Sequence, residues 1–174
     1  PPGFEAMSAR LHNALAPMLS SFDNLMVHNV FTKHFNMGGS HYTFTEGLSA
    51  ANSERHFVPG SALCKLEFVA GEPVVRKLLE DPQGVIRDPD VSFDGRKILF
   101  SWKKSDLQDD YHLYEMDAGT REIRQLTDGL GVADYEGAYL PDGEIIFNST
   151  RCVQTVDCWW TEVSNLFTCD AEGR

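Results

Sequence analysis

The chain has 174 residues, 42% of them hydrophobic and 11% aromatic, a composition typical of a packed globular protein rather than of a disordered one. Its formal net charge of −11 argues against binding to nucleic acids or anionic membranes, because both need clustered lysine and arginine. No uninterrupted apolar stretch approaches the roughly 20 residues of a membrane helix, so we expect no membrane insertion.

The start of the chain carries a helical pattern. Apolar side chains recur every three or four positions there, at Phe4, Met7, Leu11, Leu15 and Met18. This spacing places them along one face of a helix. The sequence therefore predicts a short N-terminal helical segment over residues 1–19.

Two Asp-Gly turns with similar surroundings follow further along. Ser92–Gly95 (SFDG) precedes the apolar run Lys97–Ser101, and Leu140–Gly143 (LPDG) precedes Glu144–Asn148. Their aspartates lie 48 residues apart (142 less 94). Asp-Gly between apolar runs is a strong hairpin signal, because glycine accepts the positive φ of the tight turn. Ser21–Asn24 (SFDN) is a weaker third copy.

A second repeat has the same offset and is independent of these turns. Residues 63–79 overlay residues 111–127 at an offset of 48, with Arg76 falling on Arg124. Residues 165–171 begin a third, less regular copy. Each unit therefore consists of two hairpins, which make four strands with alternating inward and outward side chains.

Four-stranded units with a period of about 40 to 50 residues are typical of β-propeller blades. We predict an all-β fold in which residues 20–174 form a partial propeller, with blades at about 20–81, 88–127 and 135–174. An insertion, 35–61, interrupts the first blade, and the last blade is truncated. Because about four to eight blades close a ring, we expect a fragment of a larger propeller, which self-associates or binds the remaining blades.

Two of the four cysteines, Cys152 and Cys158, lie in a second insertion at 152–162. Their spacing predicts a loop-closing disulfide in an oxidising compartment. Pairing of Cys152 with Cys169 and free buried thiols are the alternatives. The chain has no Cys-x-x-Cys pair, so we expect no structural zinc site.

A group of histidines lies in and beside the first insertion. His34, His41 and His56, together with Glu46, provide imidazole and carboxylate groups of the kind that bind transition metals. Their spacings match no ligand motif. We therefore predict that they are solvated or hydrogen-bonded to the backbone, and that they bind no metal.

Carboxylates concentrate where predicted blades begin, close to a central channel. They are Asp88, Asp90, Asp109, Asp110, Asp134 and Glu136. We expect some of them to line the channel and to bind cations or basic side chains of a partner, with Arg87 and His112 as neutralising groups. The alternative is local hydrogen bonding at strand ends and turns, which Asp favours. No tight turn requires the Ala-Asp-Tyr-Glu-Gly context of Asp134 and Glu136.

The sequence lacks the motifs of common enzyme sites. It contains no Gly-x-Ser-x-Gly elbow, P-loop, dinucleotide fingerprint or His-Glu-x-x-His helix. We therefore assign no catalytic residue and no cofactor to this chain, and we expect a binding segment rather than an enzyme built from these residues alone.

The repeated turns resemble the Pro-Asp-type repeats of TolB-like β-propellers, in which Ser-Pro-Asp-Gly precedes an apolar strand. Four further stretches resemble the propeller-bearing middle region of the hydrazine synthase alpha subunit family: Arg87–Gly95, Asp109–Met116, Ala133–Glu136 and Asn148–Cys152. Together the resemblance covers residues 22–174.

The resemblance implies an extracytoplasmic propeller, periplasmic or secreted, that serves as a scaffold or docking surface for a protein or ligand. The alternative it implies is the structural propeller of a multihaem oxidoreductase. Any haem would then be held outside this chain, because none of its cysteines belongs to a Cys-x-x-Cys-His motif. No catalytic residue carries over from that family.

Overall fold

The computed structural model describes residues 29–35, 58–70, 72–104, 109–155 and 162–174. In chain order their strands are β1 (Asn29–Phe35), β2 (Val58–Val69), β3 (Glu72–Asp81), β4 (Val85–Val91), β5 (Lys97–Lys103), β6 (His112–Asp117), β7 (Ile123–Gln125), β8 (Asp134–Tyr139), β9 (Ile145–Thr155) and β10 (Glu162–Cys169). The predicted helix over residues 1–19 lies outside the described residues. Within the described ranges, no helix is long and apolar enough to span a membrane.

The strands form three antiparallel sheets. Sheet 1 has the order β1-β2-β3, sheet 2 the order β4-β5-β6-β7, and sheet 3 the order β8-β9-β10. Neighbouring strands in every sheet are also consecutive in the chain, so each sheet is a simple meander. Sheet 2 is a complete four-stranded unit of the kind that the repeat predicts.

Both Asp-Gly hairpins form where the sequence predicts them. Gly95 has φ +70° and its amide donates to Ser92 O at 2.8 Å. In the turn between β8 and β9, Gly143 has φ +92° and its amide donates to Leu140 O at 3.0 Å. Since glycine reaches these angles without a Cβ penalty, the same local chemistry sets the register of both hairpins.

Strand β5 packs against both neighbouring sheets. Ile98 and Phe100 belong to a buried cluster with Leu63 of sheet 1. Leu99 belongs to a second cluster with Phe147 of sheet 3. Successive side chains of a strand point to opposite faces, so alternate residues of β5 fill two different interfaces. Each large apolar side chain that is fully buried contributes about 1.5–3 kcal/mol.

The three sheets stack face to face in chain order. β4 packs on β1 and β2 of the preceding sheet, and β8 packs on β4, β5 and β6. Antiparallel meanders stacked in this way have the arrangement of successive propeller blades. The prediction of an all-β chain built from propeller blades is confirmed.

Two strands are longer than the sequence analysis anticipated. β2 begins at Val58, which pairs with Phe35, and His34 pairs with Ser61. The end of the predicted insertion 35–61 is therefore strand. β9 likewise continues to Thr155, so that Cys152 lies in a strand rather than in a loop.

Candidate functional site

The first strands of sheets 2 and 3 each contain a β-bulge with a strained carboxylate residue. The pairing of β4 with β5 shifts around Asp88, and the pairing of β8 with β9 shifts around Glu136. Asp88 has φ 52° and Glu136 has φ 53°. The left-handed region costs a non-glycine residue about 1–2 kcal/mol. The two residues lie 48 positions apart (136 less 88), at the blade repeat.

These bulges lie on two edge strands that pack against each other. β4 and β8 are the edge strands of sheets 2 and 3, and β8 packs directly on β4. In a propeller the blades converge at the strands around the central channel. A bulge bends its strand and changes the direction of a side chain. The two bulges therefore determine the directions in which Asp88 and Glu136 point.

Arg87 connects the two bulges. Its Nε lies 2.9 Å from Asp88 Oδ2, and its Nη2 lies 3.8 Å from Glu136 Oε1 in the next sheet. The guanidinium also lies over the ring of Tyr111, 5.5 Å from the centroid. Burial alone lowers the pKa of Arg87, but Asp88 and Tyr111 outweigh it and the pKa stays above its ordinary value. The site thus contains a permanent cation between two carboxylates.

Glu136 is the exposed member of this group. Half of its side chain is accessible, against 22% for Asp88 and 13% for Arg87. Asn148 Nδ2 donates to Glu136 Oε2, and the Glu136 amide donates to Ser101 Oγ at 3.1 Å. The backbone of the bulge is therefore fixed to sheet 2, while the carboxylate remains accessible to a partner.

Asp134 is buried within a separate network. It accepts hydrogen bonds from Ser149 Oγ at 2.6 Å and from Arg151 Nη2 at 2.7 Å, and its Oδ2 lies 3.6 Å from Nδ1 of His112. Burial raises the pKa of Asp134, but His112, Arg151 and Ser149 reverse this effect and hold the pKa below its ordinary value. The side chain has no exposure, so Asp134 joins sheets rather than facing a channel.

The other predicted carboxylates also make contacts within the fold. Asp90 Oδ2 accepts the amide of Tyr139 at 2.8 Å, which links β4 to β8. Asp110 Oδ1 accepts from the buried Lys103 ammonium at 3.0 Å. Three of the residues predicted from the sequence come together at the edge: Arg87, Asp88 and Glu136. The others make contacts within the fold: Asp90, Asp110, His112 and Asp134.

The predicted disulfide between Cys152 and Cys158 finds no support. Cys152 carries a free thiol whose Sγ contacts Val163 O at 3.0 Å, and Cys158 lies outside the described residues. The alternative pairing with Cys169 is wrong for a geometric reason. Cys169 pairs with Ile145, seven residues before Cys152 on β9, so the two cysteines are on the order of 20 Å apart along the strand.

The predicted histidine group is only partly described. His34 is an exposed residue of β1, while His41, Glu46 and His56 lie outside the described residues. Among the described residues, no group of three or more His, Cys, Asp and Glu side chains could hold a metal ion. The absence of metal at the insertion stays a prediction.

Sequence reasoning missed one residue pair that the repeat contains. Arg76 pairs with Glu67, and Arg124 pairs with Glu115 at 2.8 Å. Applying the offset of 48 to Glu67 gives Glu115, just as it gives Arg124 from Arg76. The same offset also relates Asp88 to Glu136, so the equivalence of the two bulged residues could have been read from the sequence.

The solved structures that resemble this chain include one described as a "putative TolB" from Agrobacterium tumefaciens. The identity is 17% and the TM-score is 0.43, and the match covers 66% of this chain. The matched part spans 40% of that structure. No protein-family model matches the sequence, and a search of curated proteins found no significant relative. No comparison supports the resemblance to hydrazine synthase.

Proposed function

We propose that residues 20–174 form a non-catalytic β-propeller segment of an exported protein. We further propose that the edge formed by β4 of sheet 2 and β8 of sheet 3 binds a basic side chain of a partner protein. The observation that carries this proposal is the repeated bulge at Asp88 and Glu136. Strained backbone persists only where its surroundings fix it, and it concentrates at functional sites. Two successive blades maintain the same strain at the same position.

The chemistry of this edge favours a cationic group. Glu136 is half exposed and has acceptor positions left beyond the bond from Asn148. Its nearest fixed cation, Arg87, is 3.8 Å away and is shared with Asp88. A guanidinium or ammonium group from a partner would complete the pairing of Glu136. The net charge of −11 would also attract a basic partner over longer distances.

The proposed location, outside the cytoplasm, and the proposed TolB-like character rest on the repeated turns at Ser92–Gly95 and Leu140–Gly143. The partner that presents the basic side chain is either one of the remaining blades of a ring or an unrelated protein. Self-association of the chain on its own stays a prediction.

The proposal is tested with a blocked peptide that presents one arginine, N-acetyl-Gly-Arg-Gly-amide, titrated into isotopically labelled protein. We expect amide shifts centred on Asp88 and Glu136, and we expect the glutamine peptide of the same length to cause none. Glu136→Gln should raise the dissociation constant of the arginine peptide about fivefold, as expected for the loss of one accessible charge pair.

A matched control is Glu122→Gln, which removes the same charge from an exposed position in the turn before β7. If both substitutions weaken binding equally, the attraction comes from net charge and the proposed site is wrong. Shifts that map away from β4 and β8 would also overturn it.

A further inference from the structure

His112, the first residue of β6, lies buried between two carboxylates, one from the connection before β6 and one from β8 of sheet 3. Its side chain is 4% exposed. Nε2 lies 3.2 Å from Oδ1 of Asp109, just before β6 in the same blade, and Nδ1 lies 3.6 Å from Oδ2 of Asp134 on β8. The imidazole therefore bridges sheet 2 and sheet 3 at the end of their interface.

The protonation of this ring decides whether both contacts are favourable. A neutral imidazole has one N–H donor and one lone pair. In either tautomer the lone pair would face a carboxylate, whereas the imidazolium presents an N–H to both. Among the described residues, His112 Nδ1 makes no hydrogen bond within 3.5 Å, and Asp134 Oδ2 lies just beyond that distance at 3.6 Å. Burial alone lowers the pKa of His112, but Asp134 and Asp109 outweigh it and raise the pKa.

The remaining charges around the ring set the balance. Arg151 of β9 contacts the same oxygen of Asp134 as His112 does, with Nη2 2.7 Å from Oδ2. The nearby Lys103 and Asp110 neutralise each other at 3.0 Å. Asp109, Asp134, Arg151 and a protonated His112 therefore sum to zero. Loss of the proton leaves one uncompensated negative charge between the sheets, where low polarity strengthens repulsion.

We propose that protonated His112 is a latch that holds β8 of sheet 3 against sheet 2, and that loss of its proton as the pH rises loosens this interface. Because the pKa in the closed state lies above the ordinary value of 6.5, the latch is fully formed below pH 6.5 and is lost as the pH rises through the raised value. Glu136 lies two residues after Asp134 on the same strand, so loosening would also alter the strained edge.

The experiment combines two measurements on the whole chain between pH 5.5 and 9. Long-range ¹H–¹⁵N spectra give the protonation of His112, and hydrogen exchange of the β8 amides, corrected for intrinsic rates, gives the opening constant. We expect the opening constant to rise with pH as His112 deprotonates. The rise should be about tenfold for each pKa unit that separates the closed from the open state.

Three variants make the result decisive. His112→Gln should abolish the pH dependence, and Asp109→Asn should move the transition to lower pH by removing one of the two carboxylates. His34→Gln removes an exposed histidine from β1 and should change nothing at β8. If His112→Gln fails to fold, Asp109→Asn alone decides. An unchanged midpoint in Asp109→Asn, or β8 exchange independent of pH in the parent protein, would overturn the proposal.

Discussion

The interface between sheets 1 and 2 differs in chemistry from the one between sheets 2 and 3, although β4 and β5 of sheet 2 contribute to both. Aromatic and aliphatic side chains around Phe100 close the first, and Trp102 Nε1 donates to Asp81 Oδ2 at 2.6 Å at its end. The second combines an apolar cluster around Leu99 and Phe147 with the buried groups Asp134 and His112. Apolar burial depends little on pH, while buried charge depends on it strongly. We therefore expect the two interfaces to fail under different conditions.

The largest effect is expected from Phe100→Ala. Phe100 has no exposure and contacts Trp102 and Tyr114 with ring centroids 6.2 and 6.0 Å apart. Removing this ring should cost about 3–5 kcal/mol through lost burial and the cavity left behind. Urea denaturation at pH 5 and pH 7 should give the same loss. Phe93→Ala, at a ring that is 77% exposed in the turn, should change stability by less than about 0.5 kcal/mol.

Asp134→Asn, in the second interface, should cost stability by an amount that depends on pH, unlike Phe100→Ala. It leaves Arg151 and His112 facing a neutral amide, which should cost about 3 kcal/mol at pH 6. Because the pKa of Asp134 lies below its ordinary value of 3.8, its contribution is present above that value and is lost as the pH falls through the lowered one. The difference between variant and parent should therefore shrink as the pH falls below 3.8, as measured by urea denaturation.

The control for Asp134 is Asp128→Asn, which changes an exposed carboxylate near the same interface. It should leave stability unchanged across the same pH range. If the loss for Asp134→Asn does not shrink at any pH below 3.8 at which the protein stays folded, the ionised form of Asp134 does not hold the interface.

The smallest effect concerns the bulge that fixes β8 to sheet 2. Glycine adopts the φ of 53° at Glu136 without the Cβ penalty, so Glu136→Gly should be about 1 kcal/mol more stable than Glu136→Ala. At Glu144, which is not among the positive-φ residues, the order should reverse, with alanine the more stable. Thermal unfolding of the four variants measures both differences. The same order at both positions would rule out the left-handed conformation of Glu136.

The sequence predicted the parts of the fold that local chemistry controls. Asp94-Gly95 and Asp142-Gly143 form the predicted hairpins because the tight turn requires a positive φ, which glycine adopts readily. This requirement lies within a segment of four residues, so the local sequence is enough to show it. The overlay of Arg76 on Arg124 was also informative, because both pair with a glutamate on the neighbouring strand. Periodicity alone was therefore sufficient to predict blades.

Contacts between sheets could not be predicted in this way. Asp134 looked like a channel residue, yet its partner His112 comes from a different blade and its depth depends on how two sheets stack. Cys152 looked like a loop residue because the repeat ends before it. Strand β9 continues beyond the repeat and includes it. In each case the deciding contact joins residues whose proximity no local pattern records.

Strand β5 has a consequence for how the length of such a chain can vary. Phe100 faces sheet 1 and Leu99 faces sheet 3, and neither is exposed. Deleting or inserting a single residue here would exchange the two sets of side chains, placing Ser101 and Leu99 where the Phe100 cluster needs aromatic volume. Differences in length among related blades should therefore accumulate in the connections, such as residues 36–57. The buried segment Ile98–Phe100 should be inherited without insertions or deletions.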